Sequence, residues 1–235
     1  MMDDRARSVR RMFVSVAPDY DLLNHLLSLN LDRRWRRAAA QTAFDGLKRP
    51  FVLDLCAGTG DLAVELAGHC PDALIVALDF ATPMLERARA KIHRVGLPGL
   101  ILPLCGDAIC LPFRDGSFDL LTVAFGLRNL SPLERALDEA VRVIRPGGRL
   151  VALEFALPER GLWQHLYGFY LFHVLPRIGN WISGTSAYSY LPRSVSLFPT
   201  PQRLTKLLES HGFVEAESRL LAGGAVAIHT ARTAR

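Results

Sequence analysis

Residues 52–63 read VLDLCAGTGDLA: a short apolar run leads into a glycine turn and then into a helical pattern. Apolar runs of this length, bounded by turn residues, are typical of buried strands. Glycines at such a turn let a ligand come close to the backbone, as they do in nucleotide-binding folds. The stretch therefore predicts a strand, a turn and a helix within a parallel α/β sheet, with a ligand site at the turn.

The segments around this stretch continue the alternation of strands and helices. The predicted strands are Phe51–Leu55, Leu74–Leu78, Leu100–Leu104, Leu120–Ala124 and Arg149–Glu154. The predicted helices between them are Asp61–Gly68, Thr82–Val95 and Pro132–Ile144, and a loop follows the third strand. Such alternation predicts a parallel sheet with helices on both faces.

The helix predicted over residues 132–144 has signals at both of its ends. We expect Ser131 to cap it, Pro132 to occupy its first position and Glu134 to complete a capping box. The Pro-Gly-Gly run at residues 146–148 is expected to end it. The chain would then turn into the strand that starts at Arg149.

The two ends of the chain complete the predicted sheet. Residues 8–30 predict two short helices, and Asp32–Phe44 predicts a third. The predicted C-terminal elements are a helix over residues 201–211 and two strands, Val214–Leu220 and Ala225–Thr230. Because Gly223-Gly224 joins these strands, we expect an antiparallel pair at the edge of the sheet.

The composition fits one globular domain. Of 235 residues, 50% are hydrophobic and 22% charged, so wholesale disorder, collagen-like repeats and a coiled coil are excluded. We expect a single domain over residues 1–235, with an N-terminal helical cap (1–45) and an aromatic-rich insertion or lid (158–200). Four cysteines without a C-x-x-C pair, and an N-terminus that is charged and lacks an apolar leader, predict a reduced, cytoplasmic protein.

The stretch from Pro158 to Thr200 holds nine of the twenty aromatic residues but four charged ones. Its uncharged runs, Gly161–Pro176 and Ile178–Pro192, are shorter than the roughly 18–20 apolar residues that span a bilayer. A surface segment as apolar as this one needs a partner. The alternatives are an apolar substrate, a second subunit and a membrane surface. Arginines cluster at residues 5–11 and 33–37, and they predict contact with anionic lipid or nucleic acid, or else solvated helix faces.

Two cofactor classes compete for the glycine turn. The pattern Gly58-x-Gly60-x-x-Ala63, with Asp79 nineteen residues after Gly60, satisfies the dinucleotide fingerprint, with Asp79 on the ribose hydroxyls. Asp54, however, would repel a pyrophosphate, whereas the cationic methionine portion of S-adenosylmethionine would tolerate it.

A third acid, Asp107, follows the third predicted strand and can accept a hydrogen bond from an adenine amino group. An acid at each of three successive strand ends favours S-adenosylmethionine and hence a methyltransferase. The alternative is that Asp54, Asp79 and Asp107 are turn or cap residues.

With these residues in view, residues 12–230 resemble the ubiquinone/menaquinone biosynthesis C-methyltransferases. The glycine turn and the Pro-Gly-Gly run are shared by many methyltransferases, whereas Phe125-Gly-Leu-Arg-Asn129 and Tyr188-x-Tyr190-Leu191 are more particular to this family. The other matching segments are residues 13–24, 153–155, 198–199 and 223–229.

The resemblance implies a class I Rossmann-like methyltransferase. Its sheet would have seven mostly parallel strands with an antiparallel C-terminal strand, N-terminal helices, and a helical insertion before the last two strands. The cofactor-binding residues implied by the turn and the family together are Asp54, Gly58, Thr59, Gly60, Asp79, Asp107 and Ala108. Two positions depart from the family pattern: Ala57 stands where glycine is frequent, and Ala124 where many members have serine.

The resemblance also implies methylation of a ring carbon of a polyprenyl quinol, either demethylmenaquinol or a methoxy-polyprenyl-benzoquinol, without a metal. Arg128 would stabilise a phenolate and orient a water that takes the proton; alternatively it is an exposed ion-pair partner. The other catalytic candidates are Tyr20, Asn129 and His229, of which His229 is alternatively structural. The substrate pocket would include Tyr188, Tyr190 and Phe125.

Other functions remain open on the sequence. The same scaffold could methylate another small aromatic or lipid acceptor. A dehydrogenase is disfavoured by the absence of a Tyr-x-x-x-Lys pair, and an RNA methyltransferase by aromatic residues that are not interleaved with basic ones. A scaffold protein that binds no cofactor is a further alternative. The expected partners are the quinol, transiently the inner face of the cell membrane, and a second copy of the chain in a homodimer, but no nucleic acid.

Overall fold

A computed structural model describes residues 4–44, 47–159, 161–185 and 187–235. Within these residues, seven strands form one sheet in the order β3-β2-β1-β4-β5-β7-β6. The strands are β1 Phe51–Leu55, β2 Leu74–Asp79, β3 Ile101–Cys105, β4 Phe118–Ala124, β5 Ile144–Phe155, β6 Phe213–Leu221 and β7 Val226–Thr233. The helices are α1 Asp4–Val16, α2 Tyr20–Leu27, α3 Leu31–Ala43, α4 Asp61–His69, α5 Thr82–Arg94, α6 Leu133–Val143, α7 Gly161–Phe169, α8 Leu175–Ser183, α9 Tyr190–Leu197 and α10 Pro201–Ser210.

The strand directions confirm the predicted topology. Strands β1 to β5 pair in parallel, whereas β7 lies antiparallel to both β5 and β6. In the central register Leu55 lies opposite Leu78 and Val123, so β1, β2 and β4 end at the same edge. Ligands of parallel α/β sheets bind at this carboxyl edge.

Side chains of β1 alternate between two apolar layers because successive residues of a strand point to opposite faces. Val52 packs with residues of α3, α4 and α5 on one face. Leu53 and Leu55 pack with residues of α6 and α10 on the other. Burial on both faces explains the nearly continuous apolar sequence of this strand.

The start of α6 differs from the prediction. The helix begins at Leu133, and Pro132 occupies the N-cap position with extended backbone angles (φ −75°, ψ 143°). Ser131 therefore precedes the N-cap position, so the predicted places of Ser131 and Pro132 are each wrong by one position.

The Pro-Gly-Gly run at residues 146–148 does not precede the strand, as predicted, but lies inside β5. The register moves from Phe118 opposite Ile144 to Leu120 opposite Arg149, so the run forms an irregularity where the pairing shifts. Gly147 has a φ of +73°, which glycine adopts at little cost.

A further helical layer covers the carboxyl edge of the sheet. Helices α7 and α8 are joined by a π-helical turn, Tyr170–Val174, into one helical segment. Leu23 and Leu27 of α2 pack in one apolar cluster with Leu171 and Leu175 of that segment. None of the helices in the described parts of the chain is long and apolar enough to cross a membrane.

Candidate active site

Three adjoining cavities lie at the carboxyl edge of the sheet. We call them the aromatic, the acidic and the small cavity. Aromatic side chains on the wall of the aromatic cavity are Phe13, Tyr20, Trp35, Phe125, Phe155, Tyr167, Tyr170, Tyr188 and Tyr190. The acidic cavity is defined by Gly58, Asp79, Gly106, Asp107 and Ala108, and the small cavity by Arg36, Asp54, Thr59 and Asp61.

The acidic cavity brings together the acids that follow β2 and β3. Asp79 is buried; its two carboxylate oxygens accept hydrogen bonds from the backbone N–H groups of Gly58 and Ala81, each at 2.8 Å. Burial raises the pKa of Asp79, and these backbone donors oppose that rise. Asp107 accepts a bond from the N–H of Ile109 at 3.2 Å, beside the buried Ala108. The two carboxylates are thus oriented by the backbone toward one cavity.

Asp54 lies in the wall of the small cavity. Its Oδ1 accepts a hydrogen bond from the Thr122 hydroxyl at 2.8 Å, whereas Oδ2 is buried without a partner in the described chain. Burial raises the pKa of Asp54 to about 7. A buried acceptor without a donor is costly unless a ligand supplies one.

The glycine turn adopts the strained geometry that close ligand approach requires. Gly58 and Gly60 have positive φ values of +56° and +81°, and Cys56 is also left-handed at +55°. Gly60 lies against α5, since a Cβ there would be 3.3 Å from that of Ala88. The turn therefore presents its backbone both to the acidic and to the small cavity.

Thr59 has a different environment from the one expected. Its hydroxyl donates to Asp21 at 2.5 Å and accepts from the ammonium of Lys91 at 3.2 Å. Lys91 also pairs with Asp21 at 2.7 Å and with Asp61. Thr59 lines the small cavity and ties the N-terminal helices to the glycine turn.

Arg128 is buried rather than exposed, so it is not the surface ion-pair partner that the sequence left open. Its Nη1 pairs with Oε2 of Glu154 at 2.9 Å and donates to the carbonyl of Phe125. The guanidinium carbon lies 5.1 Å from the ring centre of Phe155. These contacts fix the cation in the wall of the aromatic cavity.

Glu154 is a residue to which the sequence analysis gave no role. It is completely buried at the end of β5, and it also accepts bonds from the N–H groups of Arg128 and Phe155 at 3.3 and 3.1 Å. An acid inside an otherwise apolar strand was the available signal, because a buried carboxylate needs a partner.

Four residues line both the aromatic and the acidic cavity, and the two cavities adjoin there: Phe13, Tyr20, Phe125 and Asn129. Tyr20 borders the small cavity as well; burial raises its pKa, which Arg128 and Arg36 partly oppose. Asn129 donates to the carbonyl of Phe125 at 3.2 Å, and its Oδ1 is buried without a partner in the described chain. Phe125 itself has a φ of +58°, an uncommon geometry that is found at functional sites.

Tyr188 and Tyr190 both reach the aromatic cavity. Tyr188 packs on α8, where a Cβ at Gly179 would lie 2.5 Å from its ring. The hydroxyl of Tyr190 is buried without a hydrogen-bond partner in the part of the chain described. With Asn129 Oδ1, it is therefore a second polar atom of a residue lining the aromatic cavity that lacks a partner among the described residues.

His229 is not brought to the site. It lies within β7 opposite Ala152 of β5, buried in the sheet, and it lines none of these three cavities. Burial lowers its pKa to about 4. The position is that of a core histidine, the alternative that the sequence left open.

A charged cluster that the sequence did not reveal lies beneath the small cavity. Asp32 accepts bonds from His25 and Ser28, each at 2.7 Å, and from Arg36. His25, Asp32 and Asp61 lie within reach of one ion, but the guanidinium of Arg36 pairs with both acids. Arg36 thus already provides the positive charge at this point.

The donor set fits S-adenosylmethionine, the cofactor expected from the sequence. Asp79 and Asp107 offer acceptors for ribose hydroxyls and an adenine amino group in one cavity. In the adjoining one the partnerless Oδ2 of Asp54 offers an acceptor for a cation. The aromatic cavity adjoins this site at the residues that border both, so an acceptor there would lie beside the cofactor.

Comparison with known proteins agrees with this geometry. A model of the ubiE/COQ5 methyltransferase family matches residues 1–233. The demethylmenaquinone methyltransferase of Thermus thermophilus is 48% identical over 93% of this chain and 98% of its own length. That of Deinococcus radiodurans is 48% identical over 89% and 86%. The ubiquinone/menaquinone biosynthesis C-methyltransferase UbiE of Geobacter sp. strain M21 is 40% identical over 97% of each chain.

Solved structures share the fold at low sequence identity. A SAM-dependent methyltransferase from Thermotoga maritima superposes with a TM-score of 0.65 at 18% identity, over 95% of this chain and 99% of the other. One from Aquifex aeolicus gives a TM-score of 0.59 at 19% identity, over 79% and 82%. Likenesses at this level establish the class I fold.

Proposed function

The chain belongs to the ubiE/COQ5 methyltransferase family and is an S-adenosylmethionine-dependent C-methyltransferase of quinone biosynthesis, and we propose that its acceptor is demethylmenaquinol. Two relatives at 48% identity bear the name demethylmenaquinone methyltransferase. Their similarity supports this quinol over a methoxy-polyprenyl-benzoquinol.

The observation that carries the proposal is that two unlike cavities adjoin and share lining residues. The acidic cavity suits a nucleoside, and the aromatic cavity suits a flat apolar ring. Because Phe13, Tyr20, Phe125 and Asn129 border both cavities, the two cavities adjoin, and a ring in one would lie beside a ligand in the other. Such positioning lowers the barrier of a two-substrate transfer.

The reaction needs an electron-rich carbon and a route for one proton. When bound, S-adenosylmethionine supplies a methyl group on a positively charged sulfur. The quinol ring carbon forms the new C–C bond as the C–S bond breaks, and the ring then loses one proton to water. Charge would balance, because the sulfonium would become a neutral thioether while the ring released one proton.

Residues of the aromatic cavity act on the quinol oxygens. The cation of Arg128 stabilises negative charge that develops on a phenolic oxygen, and it orients a water that takes the proton. Arginine stays protonated at ordinary pH, so it is not itself the base. Asn129 Oδ1 and the Tyr190 hydroxyl are the buried atoms that need partners, and they bind the quinol hydroxyl groups.

The test uses methyl-labelled S-adenosylmethionine with short-tailed, chemically reduced acceptors. We expect rapid label transfer to demethylmenaquinol and slower transfer to the methoxy-benzoquinol. Mass spectrometry of the products would measure both. Faster transfer to the benzoquinol would reassign the acceptor. Cofactor binding without transfer to either would direct the search to other small aromatic or lipid acceptors.

The exposed side of the helical layer suits a membrane surface. Exposed apolar side chains on residues 161–183 are Leu162, Trp163, Leu166, Phe169, Phe172, Ile178, Trp181 and Ile182, and on α2 they are Leu22 and Leu26. Residues 161–183 contain no acid, and Arg33, Arg34 and Arg177 nearby are exposed. An apolar face with basic residues binds anionic bilayers. The inner side of the same segment lines the aromatic cavity, so docking would place that cavity beside the membrane that holds the quinol.

Vesicle sedimentation tests this contact. We expect binding to vesicles that contain phosphatidylglycerol, and its loss in a Phe169→Ser/Trp181→Ser variant. The control is Leu102→Ser, because Leu102 is equally exposed but lies on β3. Unchanged sedimentation of the double variant would contradict the proposal. If that variant instead converts a dimer into a monomer, the face belongs to a second copy of the chain.

A further inference from the structure

The small cavity continues the acidic cavity toward the glycine turn. Both are bordered by Tyr20, Cys56, Gly58 and Ala124. If Asp79 and Asp107 hold the adenosine part of S-adenosylmethionine, the amino-acid end of that cofactor extends into the small cavity. This end carries one ammonium and one carboxylate.

Charges of both signs line the small cavity. Asp54 and Asp61 are its acids, and Arg36 is the one basic residue among the described residues of its wall. The carboxylate oxygen Oδ2 of Asp54, which has no hydrogen-bond partner among the described residues, can accept the ammonium. An incoming carboxylate then has one cation within the same wall.

Arg36 is held rigidly in that wall. It is buried on α3, it pairs with Asp32, and its Nη2 lies 3.5 Å from Asp61. Its guanidinium carbon lies 5.6 Å from the ring centre of Phe125. A guanidinium has five N–H donors, so these two acids leave it capacity for a further carboxylate.

We propose that Arg36 binds the carboxylate of the cofactor's methionine, opposite Asp54. The inference rests on the cofactor assigned above but not on the identity of the acceptor. Arginine suits this role because its planar donors match a carboxylate. The site thereby recognises the amino-acid end of the cofactor by a pair of opposite charges.

The test compares S-adenosylmethionine with decarboxylated S-adenosylmethionine, which lacks only this carboxylate, by calorimetric binding. The wild type should bind the decarboxylated compound about 10- to 100-fold more weakly, as expected for a buried hydrogen bond to a charged group. Arg36→Met should bind both compounds with similar, weakened affinity. Arg37→Met is the matched control, because Arg37 is exposed on the same helix and pairs with Glu65; it should discriminate like the wild type.

Arg36→Lys covers the case in which Arg36→Met fails to fold, since it keeps a charge beside Asp32 and Asp61. The ratio of its affinities for the two compounds should be smaller than that of the wild type but greater than one. Full discrimination in either Arg36 variant, or none in the wild type, would overturn the proposal. A wild type that binds neither compound would reject the cofactor assignment itself, whereas quinol specificity is not involved in any of these measurements.

Discussion

Asp54 is the residue whose titration is most closely linked to cofactor binding. Its pKa is raised to about 7 by burial, so at neutral pH it is about half ionised. Because S-adenosylmethionine presents a sulfonium and an ammonium, the ionised form of Asp54 binds it better. Binding should therefore lower this pKa and release a proton.

We predict that cofactor affinity rises as pH increases from 6 to 8. The sign follows because protonated Asp54, which dominates below its pKa, cannot pair with a cation. Calorimetry in buffers of different ionisation enthalpy would measure both the affinity and the released proton. Asp54→Asn should bind more weakly and without this pH dependence; an equally steep dependence in that variant would refute the assignment.

Arg128 and Glu154 form a buried ion pair. Comparing a single with a double variant of this pair distinguishes an effect on catalysis from an effect on stability. Arg128→Gln should lose at least about 100-fold in methyl transfer, since the developing phenolate loses its cation. It should also lose about 3–5 kcal/mol of stability, because Glu154 is left as an unpaired buried charge. Thermal unfolding and a turnover assay measure the two effects.

The double variant Arg128→Gln/Glu154→Gln should recover much of the stability but none of the activity. Cofactor affinity should stay within about twofold of the wild type in both variants. Loss of cofactor binding would show that Arg128 does not act on the acceptor side.

At the scale of single residues, the acids at or near the carboxyl ends of β1, β2 and β3 could be predicted, because a residue at the end of a strand is assigned from local sequence. Glu154, Arg36 and Lys91 could not. Their partners lie on other elements, and no local pattern shows that Arg128 comes to rest against β5. His229 shows the opposite case. It was a catalytic candidate because it is titratable, but its buried position in β7 does not support that role.

At the scale of elements, α1 acts as a cover of the cofactor site. Its residues Ala6 and Phe13 line the acidic cavity, and Phe13 also reaches the aromatic cavity. Asp21, just after it in the chain, pairs with Lys91 of α5. Lids over ligand sites open locally at low free energy.

We predict that cofactor binding slows amide hydrogen exchange in α1. The reason is that a ligand beneath the helix adds contacts with Phe13 and disfavours opening. Exchange followed by mass spectrometry, with and without S-adenosylhomocysteine, would measure this, and α10 on the opposite face serves as the internal control. Equal exchange of α1 in both states would show that it does not cover the site.

Helix and strand bounds illustrate what a sequence pattern can decide. The seven strands could be predicted from apolar runs and turn residues. The start of α6 depends on the backbone angles of Pro132, and the sequence pattern Ser-Pro-x-Glu does not determine these angles. The Pro-Gly-Gly run likewise marked an irregularity correctly, but its place inside β5 follows from pairing with β4.

At the scale of the whole molecule, the buried sheet makes stability depend on pH through His229. Its folded-state pKa of about 4 lies below the ordinary value near 6.5, so the unfolded chain binds more protons between these values. Stability is therefore lost as pH falls through this window.

We predict that His229 accounts for about 2 kcal/mol of lost stability between pH 7 and pH 5. Urea unfolding at the two pH values would measure it. His229→Leu, which cannot take up a proton, should show a correspondingly smaller loss over the same interval. An identical loss in both proteins would mean that His229 titrates normally in the folded state.

The central claim is that a quinol ring in the aromatic cavity lies beside the cofactor in the acidic cavity, where Phe13, Tyr20, Phe125 and Asn129 border both. The most direct measurement is the position of a ¹³C-labelled methyl group in the product formed from demethylmenaquinol, determined by NMR. The structure predicts a label bonded to the ring carbon beside the phenolic oxygen. A label on the oxygen, or on no quinol product at all, would contradict it.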